Sequence, residues 1–349
     1  MRAQVPEVSG YVERLNAAWG AHLAQRAADA STVISTFAGC GGSSLGYSMA
    51  GFRELLAVEW DDNAVATFRL NFPEVPVYHG DIAALSVDEC LRLPGLQPGE
   101  LDVFDGSPPC QGFSTAGKRM MDDPRNGLFR EYVRLLRGLR PKVFVMENVS
   151  GMVKGKMKLV FAEILRELKA SGYAVSARLM NAMYFDVPQS RERMIFIGVR
   201  DDLGVTPSHP RAISKPVILR EAIHELGPSK QIPGELTANK IQRWSETKRG
   251  DAHTERFSTL RLAWSTVAPT ILKTPGSGGH FHPDEPRLLS TGELQRIASF
   301  PDQYTFVGDW MASVNRIGNS VPPLFMRAIA EHIRVNLLTI PALHETAAG

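Results

Sequence analysis

Short runs of consecutive apolar residues alternate with longer segments in which apolar positions recur every three or four residues. Thr32–Phe37, rich in β-branched residues, reads as a buried strand. Glu54–Val58, Val75–Tyr78, the run of Leu101, Val103 and Phe104, and Pro141–Met146 read the same way. Between them fall a helix closing near Gly51 and one over Leu128–Leu139 that turns Phe129, Val133 and Leu136 inward. Phe161–Ser171 is a further amphipathic helix, closed by Gly172, and Val175–Met180 and Met194–Val199 are expected to pair as a hairpin. Ahead of all these, Val8, Tyr11, Val12, Leu15, Trp19 and Leu23 keep helical spacing, which predicts a helix packed on the main domain.

The alternation stops after Arg200. Residues 201–285 hold many prolines, glycines and basic groups without a βα rhythm, which points to a small, loop-rich domain. A helix over Arg287–Phe300 follows, and Gly318–Pro323 is expected to open the last one, Leu324–Leu337. The pattern predicts an α/β fold, a doubly wound sheet with a second domain inserted. Its parts are an N-terminal helical extension (1–30), an α/β domain (31–200), a small domain (201–285), a linking helix (286–315) and a C-terminal helix (316–349).

Composition narrows this little. Over 349 residues the net charge is +2, so any basic surface must be local rather than global. Three cysteines, Cys40, Cys90 and Cys110, are too few and scattered for a disulfide framework or a zinc site. A reducing, cytoplasmic setting without a metal is therefore expected. No apolar run is long enough to cross a bilayer.

The candidate chemistry sits at strand ends. Gly106–Ser114 follows an apolar strand and carries Cys110 directly after Pro108 and Pro109, which restrict the backbone on both sides of each ring. A thiol held at the carboxyl end of a strand is a candidate nucleophile. The first strand runs into Ala38-Gly39-Cys40-Gly41-Gly42, a tight turn before a helix. Its spacing is neither that of dinucleotide binders nor that of a phosphate loop, and it suits a nucleoside without pyrophosphate. Glu59, at the tip of the second strand, stands where ribose hydroxyls are gripped, with Trp60 able to cover an adenine. Asp81 can accept from an exocyclic amine, and Ile82 adds apolar cover.

Lys118, Arg119 and Arg125 make the loop at 115–126 basic, as a segment closing over a phosphate backbone would be. Glu147 ends the neighbouring strand as a candidate acid or hydrogen-bond partner. Arg191 and Arg193 alternate, so on a strand they would share a face. In the small domain Arg243, Lys248, Arg249 and Arg256 lie among Trp244, His253, Phe257 and Trp264, a mixture that suits contact with nucleic acid.

Taken in order, these segments resemble the cytosine-5 DNA methyltransferases from about Val33 to Leu338. The resemblance rests on Phe37–Gly42, Glu59-Trp60, Gly80-Asp81-Ile82, Pro108-Pro109-Cys110-Gln111, Glu147-Asn148-Val149, Gln189–Arg193, the helix ending at Phe300-Pro301, and Gly318–Val321. It implies that the α/β domain is an S-adenosyl-L-methionine-binding, Rossmann-like catalytic domain, that the C-terminal helix returns to complete it, and that a target-recognition domain lies at about 201–285. It further implies a thiolate of Cys110 adding to carbon 6 of a flipped-out cytosine, Glu147 on ring nitrogen 3 and the exocyclic amine, Arg193 on the base carbonyl, and Arg191 supporting the pocket. Phe37 and Trp60 would flank the adenosine, Glu59 the ribose, and Asp81 and Ile82 the adenine. Pro109 and the turn at 38–42 would border the cofactor, and Asn319, Ser320 and Val321 its methionine end, with S-adenosyl-L-homocysteine as product. Gln111, Ser114 and Arg125 would contact double-stranded DNA.

By the same resemblance the expected protein is a bacterial or phage-encoded monomer, nucleoid-associated, partnered by a restriction endonuclease acting on the same site. A tRNA methyltransferase would need a Cys-Phe-Thr signature, and no cysteine follows Cys110. An inactive DNA-binding subunit would have no use for that nucleophile. The recognition sequence and the role of residues 1–30 are not legible.

Overall fold

The computed structural model describes residues 10–109, 127–153, 157–226, 236–254, 259–274 and 279–339. Cys110, Gln111, Ser114, Lys118, Arg119, Arg125 and Arg256 lie outside these described residues. The chain divides into two compact units, each built from three separate stretches.

The larger unit comprises residues 25–181, 192–211 and 326–349. Its chain runs β1 (Thr32–Thr36), α2 (Gly42–Met49), β2 (Arg53–Glu59), α3 (Asp62–Asn71), β3 (Val77–His79), α4 (Val87–Arg92) and β4 (Val103–Gly106). It continues through α5 (Gly127–Leu139), β5 (Val143–Val149), α6 (Met157–Lys169), β6 (Tyr173–Asn181) and β8 (Glu192–Arg200). One seven-stranded sheet results, in the order β3-β2-β1-β4-β5-β8-β6. The pairs from β3 to β5 are parallel, whereas β8 runs antiparallel to both β5 and β6. The expected hairpin is thus present. The chain builds outward from β1 to β3 and then returns to lay β4 on the other side of β1. That reversal leaves a crevice at the carboxyl ends of the strands.

Packing follows the sequence pattern. Ile34, Leu56, Phe104, Phe144 and Phe196 of the sheet share one core with Phe129, Tyr132, Val133 and Leu136 of α5 and with Val160, Ile164 and Leu168 of α6. The helical residues recur at three- and four-residue steps, so each helix lays one stripe on the sheet. Gly106 ends β4 where a Cβ would stand 2.7 Å from the Tyr132 ring, so only glycine lets α5 approach the strand.

The smaller unit comprises residues 1–24, 182–191 and 212–325. It contains α1 (Tyr11–Leu23), β7 (Gln189–Ser190), α7 (Leu219–Ile223), α8 (Ala238–Glu246), β9 (Thr259–Arg261), β10 (Ala268–Pro269), β11 (Gly279–Phe281), α9 (Thr291–Ile297) and α10 (Trp310–Asn319). The last helix, α11 (Pro323–Asn336), begins here and passes into the larger unit. Two short parallel pairs, β7 with β10 and β9 with β11, are its only regular sheet among the described residues.

Three expectations need correction. The N-terminal helix belongs to the smaller unit, not to the main domain: Tyr11, Leu15 and Ala18 are buried, and the Tyr11 hydroxyl donates to the Arg296 carbonyl at 2.6 Å. The smaller unit also takes in the whole stretch 212–325, because α9 packs on α7 and α10 on α9 instead of forming a separate link. Finally, Gly318 and Asn319 close α10 and do not open α11. No helix among the described residues is long and apolar enough to cross a membrane.

Candidate active site

At the carboxyl ends of β1 to β4 the larger unit holds a cavity of about 400 Å³ lined by Phe37, Val58, Glu59, Trp60, Gly80, Asp81, Ile82, Pro109 and Leu128. Residues from four strand ends and the start of α5 therefore meet around one space. The turn that opens it is tight. Phe37 takes a φ of 55° and Gly39 one of 57°, while Gly41, at φ 92°, caps α2. A non-glycine residue held at positive φ is rare and clusters at functional sites. Cys40 and Gly42 turn inward and are buried, and the Ala38 amide donates to the Val58 carbonyl, tying the turn to β2.

Glu59 is the anchor of the crevice. Its carboxylate accepts from the backbone N–H of Gly39 at 2.8 Å, Trp60 at 2.9 Å and Asp61 at 3.0 Å. A carboxylate offers roughly four acceptor positions, so about one remains for a ligand hydroxyl. The bond from Gly39 ties the glycine turn to the end of β2, and the other two fix the carboxylate's direction. Trp60 beside it is 76% exposed, an indole available to cover a flat heterocycle. Across the space Ile82 is buried, and the Asp81 carboxylate accepts from the Ala83 amide, which fixes its direction.

Past the end of β4 the chain continues into the Pro108-Pro109 segment. Gly106 is in register with Met146 of β5, which brings Glu147 level with Ser107 on the neighbouring strand. Asn148, buried at the end of β5, donates to the Pro108 carbonyl at 3.1 Å and so pins the Pro-Pro segment. The Glu147 carboxylate, itself largely buried, pairs with Nε of Arg193 at 2.6 Å. The pair is a product of register: β8 runs antiparallel to β5 and places Arg193 opposite Val149.

Arg191 does not share that face. It falls in the break between β7 and β8, is only 2% exposed, and donates to the carbonyls of Gly318 at 2.8 Å and Ile271 at 3.1 Å. It is a brace within the smaller unit, whereas Arg193 belongs to the larger one. Asn319, Ser320 and Val321 also lie in the smaller unit; the Ser320 hydroxyl donates to the Arg316 carbonyl. Of the basic residues expected at DNA, Arg243 and Lys248 line an open groove. Arg249 is tied to Asp284 at 2.5 Å and to the Pro283 carbonyl.

Beneath the glycine turn lies a polar cluster that the pattern of residues did not single out. Asp105 of β4 is 3% exposed and accepts from the Tyr47 hydroxyl at 3.2 Å, and Glu54 of β2 accepts from Ser44 at 2.9 Å. Burial holds the Asp105 carboxyl well above the usual range, against the Tyr47 hydrogen bond, and Glu54 and Glu147 push it the same way. Burial likewise raises Glu54 to about 7, although the Ser44 hydrogen bond opposes it. An acid within an otherwise apolar strand, as Asp105 is, was the available signal.

The family model for C-5 cytosine-specific DNA methylases matches residues 31–227 and 218–334. The chain is 36% identical to the type II methyltransferase M1.HphI of Haemophilus parahaemolyticus, over 86% of each chain. It is 33% identical to M.DdeI of Desulfomicrobium norvegicum, over 86% of this chain and 88% of that one. Among solved structures, a prophage-encoded protein of E. coli described as a DNA modification methyltransferase superposes with a TM-score of 0.75 at 25% identity, covering 88% of this chain and 99% of its own. A DNMT2 variant from Spodoptera frugiperda shares the fold, with a TM-score of 0.67 at 19% identity over 87% and 99%. The fold and these likenesses define a methyltransferase of the Rossmann-like class. The chain belongs to the C-5 cytosine-specific DNA methylase family.

Proposed function

We propose that the chain methylates carbon 5 of cytosine within one short sequence of double-stranded DNA, using S-adenosyl-L-methionine, with Cys110 as nucleophile. The observation that carries this reading is the meeting, at one end of the sheet, of a nucleoside-sized crevice, the Pro-Pro segment leading to Cys110, and the Glu147–Arg193 pair. The crevice fits the cofactor's nucleoside. Phe37, Trp60 and Ile82 offer apolar faces, Glu59 one remaining acceptor for a ribose hydroxyl, and Asp81 an acceptor for an amine. When bound, the cofactor supplies an electrophilic methyl group. No step calls for a metal ion.

Carbon 5 of cytosine is a weak nucleophile and is buried in the duplex, so the base must first leave the stack at a cost of about a few kcal/mol. The Cys110 thiolate then adds to carbon 6, and the displaced electron pair moves toward nitrogen 3 and the carbonyl. Glu147 holds nitrogen 3 and the exocyclic amine, while Arg193 meets the carbonyl oxygen. Their mutual contact, 2.6 Å, keeps both side chains aimed before the base arrives. Once carbon 5 carries the methyl group, its proton passes to solvent water, the released electron pair re-forms the 5,6 double bond, and the carbon 6–sulfur bond breaks to free the Cys110 thiolate. Gln111, Ser114, Lys118, Arg119 and Arg125 would contact the backbone of the flipped strand, and Arg191 would act from the frame. The type II relatives favour a restriction endonuclease reading the same site as partner, and a cytoplasmic location.

The test is base-resolution mapping of 5-methylcytosine in a plasmid incubated with the purified chain and cofactor, beside Cys110→Ser. The expected outcome is methylation at every copy of one short motif by the wild type, and none by the variant, which should still bind DNA and cofactor. Near-normal turnover by Cys110→Ser would sink the mechanism.

A further inference from the structure

The smaller unit contains an open groove of about 740 Å³ built on α8, and its lining does not look like a phosphate track. Asn239, Gln242, Arg243 and Glu246 stand at steps of three and four along the helix, so they share one face. Asn239, Gln242 and Glu246 are exposed, and Lys248 and Asp251 complete the wall. The lining thus carries two cations and two carboxylates. A surface that only neutralises phosphates would carry an excess of positive charge, and carboxylates there would repel the backbone. Amides, a guanidinium and a carboxylate side by side are instead the groups that match base edges: amides for adenine, guanidinium for guanine, carboxylate for the amine of cytosine.

The back of the helix argues that this face is held out deliberately. No residue of α8 is buried, and a nine-residue helix has little stability of its own. It is instead fastened from behind at its carboxyl end. The Arg261 guanidinium lies 3.8 Å from the centroid of the Trp244 ring. It also donates to the carbonyls of Trp244, Thr247 and Pro283. The Trp244 indole N–H donates to the His282 carbonyl at 2.9 Å. Trp244 points roughly opposite the polar face at 3.6 residues per turn. On the front, Gln242 donates to Glu246 at 2.8 Å and His253 stands 3.4 Å from its other oxygen, which orients the carboxylate.

We propose that the α8 face formed by Asn239, Gln242 and Glu246 reads base edges in the major groove of the target, Glu246 accepting from the amine of a cytosine and the amides from adenine. Arg243 and Lys248 flank it. This rests on the reading of the chain as a DNA methyltransferase and names the surface that sets its target.

The experiment compares the full-length wild type with Asn239→Ala, Gln242→Ala and Glu246→Gln on a plasmid library randomised around the wild-type motif, with methylation mapped at base resolution. These residues are exposed, so melting temperatures should stay near wild type. Each variant is expected to lose about 5- to 150-fold in kcat/KM on the cognate motif and to accept a new base at one position, different for Glu246 than for the amides. Unchanged specificity in all three variants beside an active wild type would overturn this proposal alone. A uniform loss of rate with no new base accepted would do the same, since it would mark a structural or phosphate-contacting role. A wild type that methylates no duplex DNA would overturn both this proposal and the reading it rests on.

Discussion

Glu59 shows how one side chain can serve fold and ligand together. Its carboxylate gathers the N–H groups of Gly39, Trp60 and Asp61, so the turn and the crevice share a keystone. Hydrogen bonds to a charged acceptor are each worth about 1.5–3 kcal/mol. In Glu59→Gln one oxygen becomes an NH₂ facing an N–H donor, so at least one of these bonds must be lost. Calorimetric titration should show cofactor binding weakened at least about tenfold, with DNA binding little changed; an unaltered cofactor affinity would remove Glu59 from the site. The position of Glu59 was legible because an acid at a strand tip after a glycine turn has a chemical reason to be there. Arg191 was misread as a face-mate of Arg193 because alternation predicts facing only within an unbroken strand, and the break at residue 191 leaves no mark in the pattern.

At the scale of elements, the join between β4, β1 and α5 has no slack. A methyl group added at Gly106 would meet both Thr36 and the Tyr132 ring, and Tyr132 is held by its own hydrogen bond to the Val145 carbonyl at 3.1 Å. Gly106→Ala should therefore cost about 1–3 kcal/mol, visible as a lower denaturation midpoint. It should also slow methylation, because the displaced strand end carries the Pro-Pro segment. A midpoint equal to wild type would show that the helix can retreat freely.

The buried acids under the glycine turn give this region a pH dependence of defined sign. Glu54 is raised from its ordinary 4.5 to about 7, so between those values the folded chain binds a proton that the unfolded chain has released. Its contribution to stability is complete below about pH 4.5 and is lost as the pH rises through about 7. Asp105 is shifted in the same direction. Melting curves across that window should fall less steeply for Glu54→Gln than for wild type, and parallel slopes would rule Glu54 out as the source. The strands of this sheet were legible because parallel strands covered on both sides read as continuous apolar runs. α8 was not, since its helical spacing is sparse in apolar residues.

At the scale of the whole molecule, the strong alternation of the first 200 residues made the larger unit readable, while the smaller one is assembled from pieces far apart in the chain. Contacts such as Tyr11 to Arg296 and Arg14 to Asp186 depend on no local pattern, which is why the N-terminal helix reads as packed on the main domain when it belongs to the smaller unit. The chain passes between units at 24/25, 181/182, 191/192, 211/212 and 325/326.

This has a consequence for synthesis on the ribosome. α1 leaves the exit tunnel before the sheet, yet the carbonyl that receives its Tyr11 hydroxyl is made 285 residues later. At roughly 5–20 residues per second, that leaves the apolar stripe of the helix without its seat for about 15–60 s. The larger unit's sheet, by contrast, can pair strands as they emerge. Stalled nascent chains ending shortly after β8 should therefore be cut by protease at residues 10–24 while the sheet resists, and protection of α1 should appear only once α9 has emerged. During that interval the N-terminal helix is a natural client for chaperones that hold exposed apolar segments.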